Sequence, residues 1–170
     1  YIEAEVINSS YMKARNYMTL NRGSVHGIKP NMGIIGGDGV VGVVKDVSEH
    51  FCTAVPLINT SFRVSGRLKS NMNFGPVEWK GSDYRYTYLG DIPRHVEITI
   101  GDTVVTDSRS QVFPQGILIG TVESFDLQED QNFNELKLKV STDFSSLDHV
   151  YIIKDMMKLE LQELEGKLNQ

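Results

Sequence analysis

Four groups of residues have types and spacings that could carry chemistry. The first is the glycine-rich stretch "GGDGVVG", where Gly37, Gly39 and Gly42 meet part of the spacing of a dinucleotide fingerprint. That chemistry needs a helix N-terminus directly after the glycines, whose free N–H groups and dipole hold the pyrophosphate. A β-branched run follows here instead, and no G-x-x-x-x-G-K-[ST] sequence occurs. The glycines therefore read as turns and bulges, positions that need positive φ or close backbone approach. Gly23, Gly27, Gly39, Gly42, Gly101, Gly116 and Gly120 are expected in that structural role, and no cofactor is expected.

The second group is nucleophilic. Two β-barrels in tandem would match the layout of chymotrypsin-like proteases, whose chemistry needs a serine activated by a histidine that an aspartate orients. Of the four histidines, His26 sits in a turn, His50 ends a charged loop, His95 follows proline and His149 starts a strand. Neither G-D-S-G-G nor a G-x-S-x-G elbow is present. Cys52 has His50 two residues away but no third group to orient it, so a half-buried structural thiol is expected. Being the single cysteine, it can form no internal disulfide.

The third group, Asp126, Glu129, Asp130 and Glu135, could loosely attract calcium. It lacks the spacing and the turn glycine of an EF-hand loop and reads as a solvated hairpin, so no metal is expected. The fourth is "DYRYTYLGDI", where Tyr84, Tyr86 and Tyr88 alternate on one strand face, with Trp79 just upstream. Such a row either lines a barrel wall or forms a protein-docking face with large rigid area and polar tips.

The elements that must position these residues are strands. "YMTLNRG" puts Met18 and Leu20 on one face, and "ELKLKV" does the same with Leu136, Leu138 and Val140. "YIEAEVINSS", "GVVGVVKDV", "CTAVPLI", "FRVSGRL", "DTVVT", "ILIGTVESF" and "HVYII" continue the series, separated by short turn signals. The pattern predicts an all-β protein of two small β-barrels. "AEVINSS" through "GVVGVV" is echoed by "GPVEWKG" through "GILIGTV", two units of roughly 70–80 residues each. The units are expected at 1–70 and 71–154, joined near "GRLKSNMNFG"; the alternative inserts a middle segment, about 60–105, into a barrel built from both ends of the chain. Residues 155–170 form an amphipathic helix with Met157, Leu161, Leu164 and Leu168 in one stripe, lying on its own domain or contacting another chain.

At 170 residues the chain can bury a real core, and 40% hydrophobic with 23% charged residues is ordinary for a globular protein. A net charge of -5 without a basic cluster argues against nucleic acid and against polybasic membrane binding. No apolar run is long enough to span a bilayer. The opening without methionine reads as a fragment or processed chain, so an anchor ahead of Tyr1 is compatible with it.

The ordered series "NRGSVHGIKPNMGIIGGDGVVGVVKDVSEHFCTAVPLINTSFRV", "VEITIGDTVVTDSRSQVFPQGILIGTVESF" and "DFSSLDHVYII" resembles the extracytoplasmic part of the rod-shape-determining MreC family. Two departures stand out: Asp107-Ser108 where the family often has Ser-Gly after V-V-T, and Asn59 where it often has aspartate. The resemblance implies two protease-like barrels without catalytic residues, an N-terminal membrane helix and coiled coil before Tyr1, and a place on the periplasmic face of the inner membrane. It also implies dimers or filaments, and as partners the elongation-specific penicillin-binding transpeptidase, RodA, MreD and, across the membrane, MreB. The expectation is a non-enzymatic scaffold that organises peptidoglycan synthesis through exposed strand edges and aromatic anchors, with Tyr84, Tyr86 and Tyr88 as the docking face. The competing expectations are a β-barrel serine-hydrolase-like enzyme with a degenerate site and a small-molecule-binding barrel.

Overall fold

The computed structural model describes residues 1–127, 132–154 and 156–168. Twelve strands follow in chain order: β1 (Ile2–Ser9), β2 (Met18–Leu20), β3 (Gly33–Gly36), β4 (Gly39–Val47), β5 (Cys52–Pro56), β6 (Val64–Leu68), β7 (Phe74–Glu78), β8 (Tyr86–Pro93), β9 (Thr103–Thr106), β10 (Leu118–Leu127), β11 (Phe133–Val140) and β12 (His149–Ile152). Among the described residues one α-helix, α1 (Met156–Leu168), follows β12.

All ladders are antiparallel, and they close into two six-stranded barrels. The first has the order β1-β12-β3-β4-β5-β2, the second β10-β11-β8-β7-β6-β9. The second barrel, Val64 to Val140, thus lies wholly between β5 and β12 of the first. The serial boundaries at 1–70 and 71–154 are corrected by this topology. "GRLKSNMNFG", read as a junction, is the tip of the β6–β7 hairpin, where the Leu68 amide donates to the Asn73 carbonyl at 3.1 Å. The inserted segment also runs well past residue 105. A local sequence echo reports strand-turn-strand units, whereas barrel membership is fixed by long-range pairing such as Ile2 with Ile152, which no local pattern encodes.

Period-two patterning sets the faces. Met18 and Leu20 are buried while Tyr17 is exposed. Leu136 and Leu138 are buried, and across the ladder Leu136 faces Leu89, which faces Val77 on the next strand. Closure removes full-length free edges, so the expectation of exposed strand edges as anchors is not met among the described residues. Two seams are short: β7–β8 pairs only at Val77–Leu89 and Glu78–Tyr88, and β12–β3 only at Tyr151–Ile35 and Ile152–Ile34.

The barrels share one core. Gly39, at φ +131°, lies at their contact: a Cβ built there would stand 2.1 Å from the Leu118 carbonyl oxygen and 2.9 Å from Ser141 Oγ. Thr142 Oγ1 donates to the buried Val40 carbonyl at 3.0 Å, tying the exit of β11 to β4. Phe113, from the β9–β10 loop, is buried against Gly33 of the first barrel. The helix behaves differently: Leu161, Leu164 and Leu168 remain exposed, so this stripe does not rest on its own barrels.

Candidate interaction site

The tyrosines do not share one strand face. Tyr84 stands in the turn before β8, because the Asp83 carboxylate draws the chain round by accepting from the Arg85 amide at 3.0 Å and the Arg85 guanidinium at 2.9 Å. That bond holds the Asp83 carboxyl down to about 2 and raises Arg85 in return. The Asp83 carbonyl meanwhile accepts from the buried Trp79 indole N–H at 2.8 Å. Tyr84 turns toward the interior and meets Tyr11 edge to face, with ring centres 5.1 Å apart.

Tyr86 and Tyr88 remain together on the outer face of the second barrel, with Thr87 buried between them. Their neighbours are cationic. Lys137 Nζ lies 4.3 Å from the Tyr86 ring centre and Lys80 Nζ lies 4.2 Å from that of Tyr88. Lys80 also pairs with Glu135. Lys137 lies opposite Tyr88 in the ladder and reaches the Tyr86 ring diagonally, while Lys80 comes from the segment after β7. The result is a half-buried aromatic pair with a lysine over each ring.

A second feature of the same barrel was not legible in the sequence. A groove of about 640 Å³ is lined by Val64, Met72, Phe74, Pro76, Pro93 and Val112, with Arg63 and Arg109 also along it. Arg109 lies with its guanidinium carbon 3.5 Å from the Phe74 ring centre. It is anchored from below by Asp107, a buried carboxylate that accepts from Arg109 Nη1 at 2.9 Å and from the Arg109 amide at 3.1 Å. Burial alone would raise the Asp107 carboxyl, but the Arg109 bonds more than offset it and lower it. The arrangement joins residues far apart in sequence, and only "DSR" after β9 could have hinted at it.

No described histidine is hydrogen-bonded to a serine. His26 Nδ1 accepts the Gly23 amide at 3.0 Å, a turn-forming bond. His149 lies 3.2 Å from Asp148, which raises its pKa, but both are exposed. Cys52 is buried, and burial pushes its thiol up to about 11, far from a reactive thiolate. Of the acidic loop, Glu135 binds Lys80, and Asp126 lies on β10 opposite Glu135; Glu129 and Asp130 lie outside the described residues. The glycines fall into two sets. Gly27, Gly39, Gly101 and Gly116 have positive φ, while Gly23, Gly42 and Gly120 have backbone oxygens within 2.4 Å of any Cβ.

The family model described as "Rod shape-determining protein MreC, barrel core" matches residues 6–154. The chain belongs to the MreC family. The cell shape-determining protein MreC of Listeria monocytogenes is 27% identical over 156 residues, covering 90% of this chain and 53% of that protein. The chain therefore spans about half the length of that relative. The solved Listeria MreC structure aligns with a TM-score of 0.83 at 26% identity, over 90% of this chain and 74% of the other. MreC from Helicobacter pylori, solved in complex with the penicillin-binding protein PBP2, aligns with a TM-score of 0.65 at 16% identity, over 90% of this chain and 98% of that one. MreC membership gives the two departures a physical meaning. Asn59 Nδ2 donates to the Asn16 carbonyl at 2.8 Å while its Oδ1 accepts from the Ser61 amide at 2.8 Å, and a carboxylate cannot supply the first bond. Asp107 in turn anchors Arg109 at the groove.

Proposed function

We propose that this chain is the extracytoplasmic barrel part of a non-enzymatic cell-shape scaffold, which binds and organises peptidoglycan synthesis proteins. The observation that carries the reading is the outward aromatic pair Tyr86 and Tyr88, held by Lys137 and Lys80 on a barrel of an MreC-family fold. Rigid tyrosines with large contact area are common interface anchors, and the lysines here hold the two rings in place. The partner is an elongation-specific penicillin-binding transpeptidase, a choice supported by the Helicobacter complex. Self-association as dimer or filament, contacts with RodA and MreD, a link to MreB across the membrane and an N-terminal anchor on the periplasmic face complete the reading.

Closed barrels suit this role because their ladders are satisfied internally, so recognition falls to side chains on the outer faces. Tyr84 serves as support behind the face, through its packing on Tyr11. Replacing Tyr86 and Tyr88 with serine is expected to abolish transpeptidase binding while the fold persists; unchanged binding by the folded variant would reject the docking face. A serine-reactive phosphonate probe tests the competing enzyme reading: the scaffold remains unlabelled, whereas a stoichiometric serine adduct would replace it.

A further inference from the structure

Leu161, Leu164 and Leu168 are 53%, 62% and 82% exposed. Spaced by three and four residues, they occupy positions a, d and a of a heptad. In that frame Glu160 and Lys167 both fall at g and Glu165 at e, while Gly166 falls at the outer position f. All three charged residues are exposed. The charges discriminate between orientations of a paired helix. In a parallel pair each g residue faces the following e residue of the other chain, which sets Glu160 against Glu165 twice. In an antiparallel pair g faces g. The register that layers Leu161 on Leu164 of the second copy then sets Glu160 against Lys167, again twice by symmetry. One orientation carries two like-charge contacts, the other two opposite-charge contacts.

We propose that α1 pairs antiparallel with α1 of a second copy of this chain, with Leu161 and Leu164 as central layers and Glu160–Lys167 contacts on the flank. The inference rests on the self-association in the reading above and names its surface and orientation. Because α1 follows β12 after three residues, antiparallel pairing sets the two first barrels at opposite ends of the joined helices. A helix of 13 residues is marginal alone, so the pairing is weak and concentration-dependent. Two copies tethered at one surface would meet at effective concentrations of about millimolar.

Sedimentation equilibrium of the 170-residue chain from about 10 μM to about 1 mM tests this, a range that ends at the tethered concentration. The native chain is expected to show a monomer–dimer equilibrium. Glu160→Lys sets lysine against lysine twice and Lys167→Glu sets glutamate against glutamate twice; each is expected to weaken the dimer roughly tenfold. An equimolar mixture of the two variants is expected to regain native affinity, since the mixed pair restores both contacts. Leu161→Ser with Leu164→Ser is expected to abolish the dimer, with the melting temperature of the barrels as control. A tighter dimer from Glu160→Lys alone would establish parallel pairing and overturn the proposal. A dimer indifferent to every change would overturn the helix pairing but leave self-association, and a monomer throughout would overturn both.

Discussion

Gly39→Ala tests the inter-barrel contact at a single atom. The added Cβ would meet the Leu118 carbonyl oxygen at 2.1 Å, a backbone atom of the opposing barrel that cannot rotate away, and Ser141 Oγ at 2.9 Å. The backbone at φ +131° is also one that L-residues rarely adopt. Conformational strain of this kind costs about 1–3 kcal/mol and overpacking about another 1–3. Together they give a loss of about 2–6 kcal/mol, which in a chain of this size lowers the melting temperature by roughly 5–20 °C. Gly37→Ala, two residues away, is the internal control: nothing lies within 4 Å of its Cβ and its φ is not positive, so it is expected to melt within about 2 °C of native. Thermal unfolding followed by circular dichroism reads both. If Gly39→Ala melts with the native protein, or Gly37→Ala falls as far, the close barrel contact is wrong.

Other consequences follow from single side chains. Leu138→Ala empties a fully buried site between β8 and β10 and should cost about 3–5 kcal/mol by urea unfolding. Asn59→Asp restores the family's commoner residue yet should destabilise by about 1–3 kcal/mol, because it removes the donor to the Asn16 carbonyl; an equal or higher denaturation midpoint would refute this. Asp107 has a lowered folded-state pKa, so the stability it contributes is present above the ordinary carboxylate range and is lost as pH falls through the depressed value. Asp107→Asn should therefore be less stable than native at pH 7, with the gap closing below about pH 3.8, and a constant gap would contradict the Arg109 anchor. Cys52, buried with its thiol pushed up to about 11, should resist alkylation at pH 8 until the protein is denatured.

Much of the strand content was legible because half-buried strands write alternation into the sequence: Met18 and Leu20, or Leu136 and Leu138, identify themselves. The short β3 and the proline-containing β7 carry too few alternating positions to stand out, and Pro76 reads as a breaker although it pairs with Ser65. Topology was the larger loss. Two hairpin-rich segments look alike whether the barrels are serial or one is inserted, and pairings such as Glu3 with Tyr151 leave no local trace. For the candidate docking face, alternation joined Tyr86 to Tyr88 on one strand face but extended one step too far, because Asp83 caps a turn where the pattern still alternates. The lysines over both rings come from β11 and from the segment after β7, and the Phe74–Arg109–Asp107 stack joins β7 to the loop after β9.

The most direct measurement is isothermal titration of the chain into the extracytoplasmic part of an elongation-specific penicillin-binding transpeptidase. The native protein is expected to bind saturably, and Tyr86→Ser with Tyr88→Ser to lose at least about tenfold in affinity with the melting temperature preserved. Native affinity in that folded variant, or no heat of binding from the native chain, would contradict this reading.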